Sequence, residues 1–384
     1  MAHAAFLVDW CYPNPKLPDG KELCDLLVVF GETAIIWQIK DLKLGPDGKY
    51  KKGDVEKNLR QVAGARRQLF DLKTPIELEN PRRGKEFFDP STIRSIHLIS
   101  ALVGPGEEFF SFIEEIKQHT VHVFSRDFAE LVLNELDTTD DFCEYLRAKE
   151  VAVSELPRLI IMGGEKELLG FYLQNNRSFS RLSSPDGKGK LNIAIVEEGI
   201  WDQFNSQPAV AARNKSNRNS YLWDKLINSA HECGPEYEPV ARELAKPNRF
   251  SRRVLSDAFY EAAEKAAAEP GGKLFRRVVD LNGMTYVVVF TDPSIDREQR
   301  RAELGTACFV ARGIRRSNKR VLGIATEKGF DAERSFDFCL IDLPEWLPKH
   351  EVAFQTARTE HGVFTEVNER QVHSSEYPAP EEPK

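Results

Sequence analysis

Two short stretches near the start of the chain constrain the fold most. Residues 26–30 read LLVVF and residues 34–37 read AIIW, with only Gly31, Glu32 and Thr33 between them. Neither run alternates apolar with polar residues, so neither suits a strand with one face in water. Both belong in a sheet covered on both sides. The short link turns the chain straight back, which makes the pair an antiparallel hairpin.

The segments that follow extend that sheet and cover it. A polar, lysine-rich loop from Lys43 to Asp54 leads to a stretch in which Val55, Leu59, Val62, Ala63, Leu69 and Leu72 recur at helical spacing, with Asp54 placed as N-cap. A strand is predicted over 95–103, a helix over 106–118 and a strand over 121–125, followed by helices opened by Arg126 and Asp127 and by Thr138. Upstream, residues 2–10 read as a short helix and 12–20 as a proline-rich turn region. Strands alternating with helices indicate an α/β domain with a mixed sheet, ending near residue 155.

Residues 156–235 read as a connecting region with a strand–helix pair, polar loops and a basic loop at 212–220 that leads into a helix. A second α/β unit is predicted over 236–365. It has a helix broken at Pro247, two strands joined by Asn282-Gly283, an arginine-rich helix over 295–313 and two further strands. That helix could dock on nucleic acid, a protein or a second copy of the chain. Residues 366–384, polar and proline-rich, are expected to be disordered.

A net charge of −7 argues against a chain that coats nucleic acid over its whole surface, but it leaves room for a local basic groove. The six cysteines contain no C-x-x-C pair, which fits buried thiols in a reducing compartment. No apolar run is long enough for a membrane span, and no basic region followed by an apolar core marks a secretion signal, so a cytoplasmic protein is expected.

Asp25 stands at the mouth of the first strand, and Gln38 and Lys40 share one face at the end of the next. The hairpin brings the start of one strand beside the end of the other, so a carboxylate, an amide and an ammonium converge. Mg²⁺ (or Mn²⁺) takes oxygen ligands, which Asp25, the Gln38 side chain and the Ile39 carbonyl offer. Lys40 is placed to position a water and offset charge building on a phosphate.

The pattern Glu22-x-x-Asp25…Gln38-x-Lys40 on a hairpin, followed by the helix NLRQVAGARRQLF, resembles the PD-(D/E)XK nuclease superfamily, in the D…QxK form found among Mrr-like members. The resemblance covers roughly residues 5–75. It implies a restriction-endonuclease-like core and metal-dependent hydrolysis of DNA in a bacterial defence setting. It casts Asp25 as metal ligand, Gln38 as weaker second ligand, Lys40 as catalytic lysine and Gln61 as a further polar group. For the family's upstream acidic residue, Asp9 and Glu22 are the two candidates.

Lys51, Lys52, Arg60, Arg66 and Arg67 flank this site as candidate phosphate contacts, with Arg60 and Arg67 seven apart on one helical face. The residues do not separate DNA from RNA, nor a homo-oligomer from an assembly with a partner defence subunit. Two other readings stand beside the nuclease. One is an ion pair of Asp25 and Lys40 that merely caps two strands. The other is a non-catalytic nucleic-acid- or protein-binding assembly subunit that retains a nuclease-like fold. His119 and His122, three apart across a loop into a strand, are poorly placed to chelate.

Overall fold

The computed structural model of the chain describes residues 5–71, 76–104, 112–156, 158–183, 193–268, 274–329, 334–360, 362–366 and 368–380. The chain divides into two compact units, Met1–Ala211 and Ala212–Lys384. Residues 156–235, read from sequence as a connecting region, are shared between the two.

The first unit is mixed α/β. Its elements are β1 (Cys11–Pro13), β2 (Leu26–Phe30), β3 (Thr33–Lys40), α1 (Lys52–Asp71), the separate hairpin β4 (Ile76–Asn80) and β5 (Gly84–Phe88), β6 (Ser95–Leu102), β7 (Ile113–Ile116), β8 (His119–Ser125), α2 (Arg126–Glu135) and α3 (Thr139–Glu155). Beyond them come β9 (Leu159–Ile161), α4 (Glu165–Gln174), α5 (Ser180–Ser183), β10 (Ala194–Val196) and α6 (Ile200–Asn205). The main sheet has the order β1-β2-β3-β6-β8-β7. Its first three strands form an antiparallel meander, β6 and β8 run parallel to β3, and β7 closes the edge antiparallel. A parallel neighbour needs a crossover, and α1 provides the one between β3 and β6.

Both faces of the hairpin are covered, as its unbroken apolar runs demand. On one side Leu59, Val62, Ala65 and Leu69 of α1 pack on Leu27, Ala34, Ile36, Leu98 and Val123. On the other, Trp37 stacks against Phe142 of α3 and meets Phe124 edge-on. Asp54 lies in the first turn of α1 rather than before it, since the helix opens at Lys52; there its carboxylate favours the positive helix end.

Three local expectations change. Of the N-terminal helix expected over 2–10, residues 2–4 lie outside the described residues, Ala5 and Phe6 are helical, and Val8–Trp10 form a 3-10 turn leading directly into β1. Where a helix was predicted over 106–118, the described part is the strand β7, paired with β8 through a turn at Lys117 and Gln118, both with positive φ; residues 105–111 lie outside the described residues. The basic stretch at 212–220 is helical, in α7 (Pro208–Asn217) and a 3-10 turn after it.

The second unit contains α8 (Tyr221–Glu232), α9 (Glu238–Ala245), α10 (Arg249–Ala268), β11 (Leu274–Leu281), β12 (Met284–Thr291), α11 (Arg297–Ile314), β13 (Arg320–Glu327), β14 (Asp337–Asp342) and α12 (Pro348–Thr359). Its four strands follow chain order, with β12 and β13 parallel and the outer pairs antiparallel. Asn282 and Gly283 both take positive φ (51° and 77°), as a two-residue hairpin turn requires. Among its described residues the tail has no helix or strand, yet Arg253 donates to the carbonyls of Ser375 and Glu376 and Arg213 lies over the Tyr377 ring.

The arginines of α11 and of the turn after it are engaged within the unit, and Arg300 and Arg312 are buried. Arg297, Arg300 and Arg301 all pair with Asp337, Arg312 donates to the Leu343 carbonyl, and Arg316 pairs with Glu351. Where α11 crosses β13, a methyl group on Gly323 would run into Cys308 and Leu304. Gly323→Ala is therefore expected to cost about 2 kcal/mol in urea unfolding. Gly305→Ala, in open space on the same helix, should add about 0.5–1 kcal/mol instead.

Candidate functional site

Strand register builds a cleft at the carboxyl end of β3. Leu26 pairs with Trp37, and just beyond this pair the Asp25 N–H donates to the Trp37 carbonyl (3.2 Å). Leu27 and Ile36 point into the α1-side core; two residues further along each strand, Asp25 and Gln38 keep that face. Asp25 Oδ2 then accepts hydrogen bonds from Gln38 Nε2 and from the Ile39 N–H, each 2.6 Å. The Lys40 side chain, again two residues on, is exposed and has no hydrogen-bond or ion-pair partner among the described residues.

Helix α1 forms the facing wall. Gln61, Gly64, Arg67 and Gln68 line the cleft opposite Glu22, Asp25, Gln38, Ile39 and Lys40, around a volume of about 460 Å³. The wall follows helical spacing, so Gly64 and Gln68, which sequence reading passed over, were recoverable as i+3 and i+7 from Gln61. Cys24 also lines the cleft, but burial raises its thiol far above the ordinary range, which rules it out as a ready nucleophile.

Other candidates lie elsewhere. Of the two upstream acids, Glu22 lines the cleft, whereas Asp9 is fully buried and held by Arg82 at 3.1 and 3.2 Å. Arg60 shares the helical face of Arg67 but pairs with Glu56 one turn away (3.6 Å). Arg66 pairs with Asp71 and lies over Phe70, and Lys52 reaches Glu56. None of these, nor Lys51, lines the cleft. Ile39 meets Asp25 through its N–H, a donor that anchors the carboxylate.

A second cluster sits on the opposite face of the same sheet. His97 of β6 and His122 of β8, both buried, converge on Glu150 of α3. Glu150 Oε1 lies 2.8 Å from His122 Nε2 and 3.3 Å from His97 Nδ1, and Ser95 Oγ is 3.2 Å from His97 Nε2. Burial pushes the His122 imidazole down to about 4 against the pull of its Glu150 bond. Burial also opposes the Glu150 carboxylate, yet hydrogen bonds from His122 and His97 hold it down to about 2. His119 takes no part: residues three apart on a strand face opposite sides. The usable signal was the phase of two strands that pair in space, which sequence order hides.

No family model matches this chain, and no curated protein and no solved structure matches it to significance.

The hydrogen bonds separate the roles of two cleft residues. Asp25→Ala removes an acceptor that serves two donors and is expected to cost about 1–2 kcal/mol in urea unfolding. Lys40→Ala removes an unpartnered, exposed side chain, so its unfolding midpoint should match wild type within about 0.5 kcal/mol.

Proposed function

We propose that the chain is a metal-dependent nuclease that hydrolyses phosphodiester bonds of DNA in the cleft between the β2–β3 hairpin and α1. The observation that carries this reading is the meeting of Asp25, Gln38 and Lys40 in one open, polar cleft, with Glu22 beside them and Arg67 opposite. In this reading the sheet that holds them is a restriction-endonuclease-like core, as the hairpin motif implies. The bacterial defence setting belongs to the same proposal, as does a role for the second unit in recognition or assembly.

The donors fit a hard cation. Asp25 Oδ1 accepts no bond among the described residues, and the amide nitrogen of Gln38 is engaged with Asp25, which leaves the amide oxygen for an ion. With Glu22 and the Ile39 carbonyl, the set is all oxygen, which suits Mg²⁺ or Mn²⁺. Such an ion, when bound, polarises the scissile phosphate and lowers the pKa of a coordinated water. The residues themselves do the rest. Lys40, with no internal counter-charge, orients the attacking water and offsets the negative charge that grows on the phosphate oxygens. Arg67 holds a flanking phosphate, and Gln61 and Gln68 offer neutral donors along the backbone. The Gln38 and Ile39 bonds keep Asp25 in one orientation.

One observation favours the rival reading of a non-catalytic binding subunit. Both bonds to Asp25 come from its own sheet, so its Oδ2 is satisfied without any ion.

The two separate in one experiment. Wild-type protein with Mg²⁺ or Mn²⁺ is expected to nick supercoiled plasmid, and Lys40→Ala to reduce the rate by about 100-fold or more while still binding DNA. Arg67→Ala should weaken binding and make the log–log salt dependence shallower by about one unit, whereas Arg60→Ala should leave both unchanged. Binding that responds to Arg67 without cleavage under either metal would transfer the assignment to the binding subunit.

A further inference from the structure

We propose that His97, His122 and Glu150 form a mononuclear binding site for a divalent ion of the zinc class, separate from the cleft at Asp25. The three come from β6, β8 and α3, and their donor atoms lie within 4.8 Å of one another. Ile99 pairs with His122 in the parallel ladder, and His97, two residues before Ile99, shares its face. Two neighbouring strands therefore send their imidazoles to the same side, where α3 brings the carboxylate.

The arrangement is unusual for a hydrogen-bond cluster alone. One carboxylate oxygen is the shared partner of both buried rings. His122 Nδ1, buried with no partner among the described residues, is the other ring nitrogen and not a ligand atom. An ion at the centre would instead meet three lone pairs. Neutral imidazoles need only shift tautomer to offer them: each ring proton moves to the far nitrogen, and at His97 Ser95 Oγ is there to receive the new N–H. No net proton is released in that step. The neighbouring cation does not compete, because Lys149 is committed to Glu165 and to the Phe112 carbonyl.

The donor chemistry selects the ion. Two imidazole nitrogens and one carboxylate oxygen suit zinc and its neighbours and do not suit Mg²⁺. At zinc-like bond lengths, adjacent ligand atoms stand about 3.4 Å apart. The His97–Glu150 separation of 3.3 Å is already there, and the 2.8 Å between His122 and Glu150 opens by a small swing of the glutamate. Glu150 can swing, since its side chain is 31% exposed against 2% and 0% for the two histidines. The ion thus enters past Glu150, and its fourth position, left to water, lies on that side. The missing acceptor at His122 Nδ1 sets affinity below that of a site with both outer partners, by about 10–100-fold.

The test uses the full chain, stripped with chelator, loaded with Zn²⁺ or Co²⁺ and dialysed. The expected result is one ion retained per chain, a visible ligand-field band with Co²⁺, and a rise in Tm with Zn²⁺ but not with Mg²⁺ at the same concentration. Glu150→Gln, which keeps the carbonyl acceptor and the fold, and His122→Gln should each lose the band and the rise. Asp25→Ala should keep both, which separates this site from the cleft. Failure of wild type to retain zinc, or retention by Glu150→Gln and His122→Gln at the wild-type level, would overturn the proposal.

Discussion

Register in the β2–β3 hairpin is the constraint on which the rest of the first unit depends. Strand side chains alternate, so slipping β3 by one residue would turn Gln38 and Lys40 to the α3 side and Trp37 to the α1 side. That slip is forbidden by packing. Trp37 sits among Phe6, Phe124 and Phe142, and Ala34 and Ile36 sit under α1. Moving either set loses roughly 1.5–3 kcal/mol per large apolar side chain. The hydrophobic core therefore does the positioning for a polar site: Asp25, Gln38 and Lys40 meet because their apolar neighbours can lie only one way.

The same sheet separates two chemical environments. On its α1 side, at the strand ends, the groups are oxygens and an unpaired ammonium in an open cleft. On its α3 side, deeper in the strands, they are imidazoles packed in an apolar layer with one carboxylate at the boundary. Hard cations and phosphate suit the first; borderline metals suit the second. Neither set shares a residue with the other, so substitutions on one face test that face alone.

Much of this was legible in the order of residues. Unbroken apolar runs marked the strands, Asn282-Gly283 the hairpin, Pro247 the break between α9 and α10, and the spacing of Asp25, Gln38 and Lys40 the cleft. What escaped was set by tertiary context. IEEI, taken as part of a helix, pairs as the edge strand β7, because β8 offers it a ladder. Strand β4 alternates buried with exposed residues, and its hairpin with β5 is anchored by Asn80, which donates to the carbonyls of Val8, Asp9 and Cys11 some 70 residues away. His97 and Glu150 are 53 positions apart in the chain, and they meet only because α3 lays Glu150 on the face where the paired strands β6 and β8 hold His97 and His122.

Charge is where counting residues misleads most. The second unit carries the densest arginine sequence, yet those side chains are spent internally: Arg300 is buried between Asp337 and Glu327, and Arg312 is buried over Trp346. A guanidinium held in this way has little left to give a phosphate, since binding one would strand a buried carboxylate without its partner. Arg67, by contrast, lines a cleft and has no ion-pair partner among the described residues. A single arginine without a partner at the right place outweighs five already engaged. For this chain, then, the field that a polyanion would meet is set by which cations lack a partner, and the net charge of −7 is no obstacle to a local phosphate site.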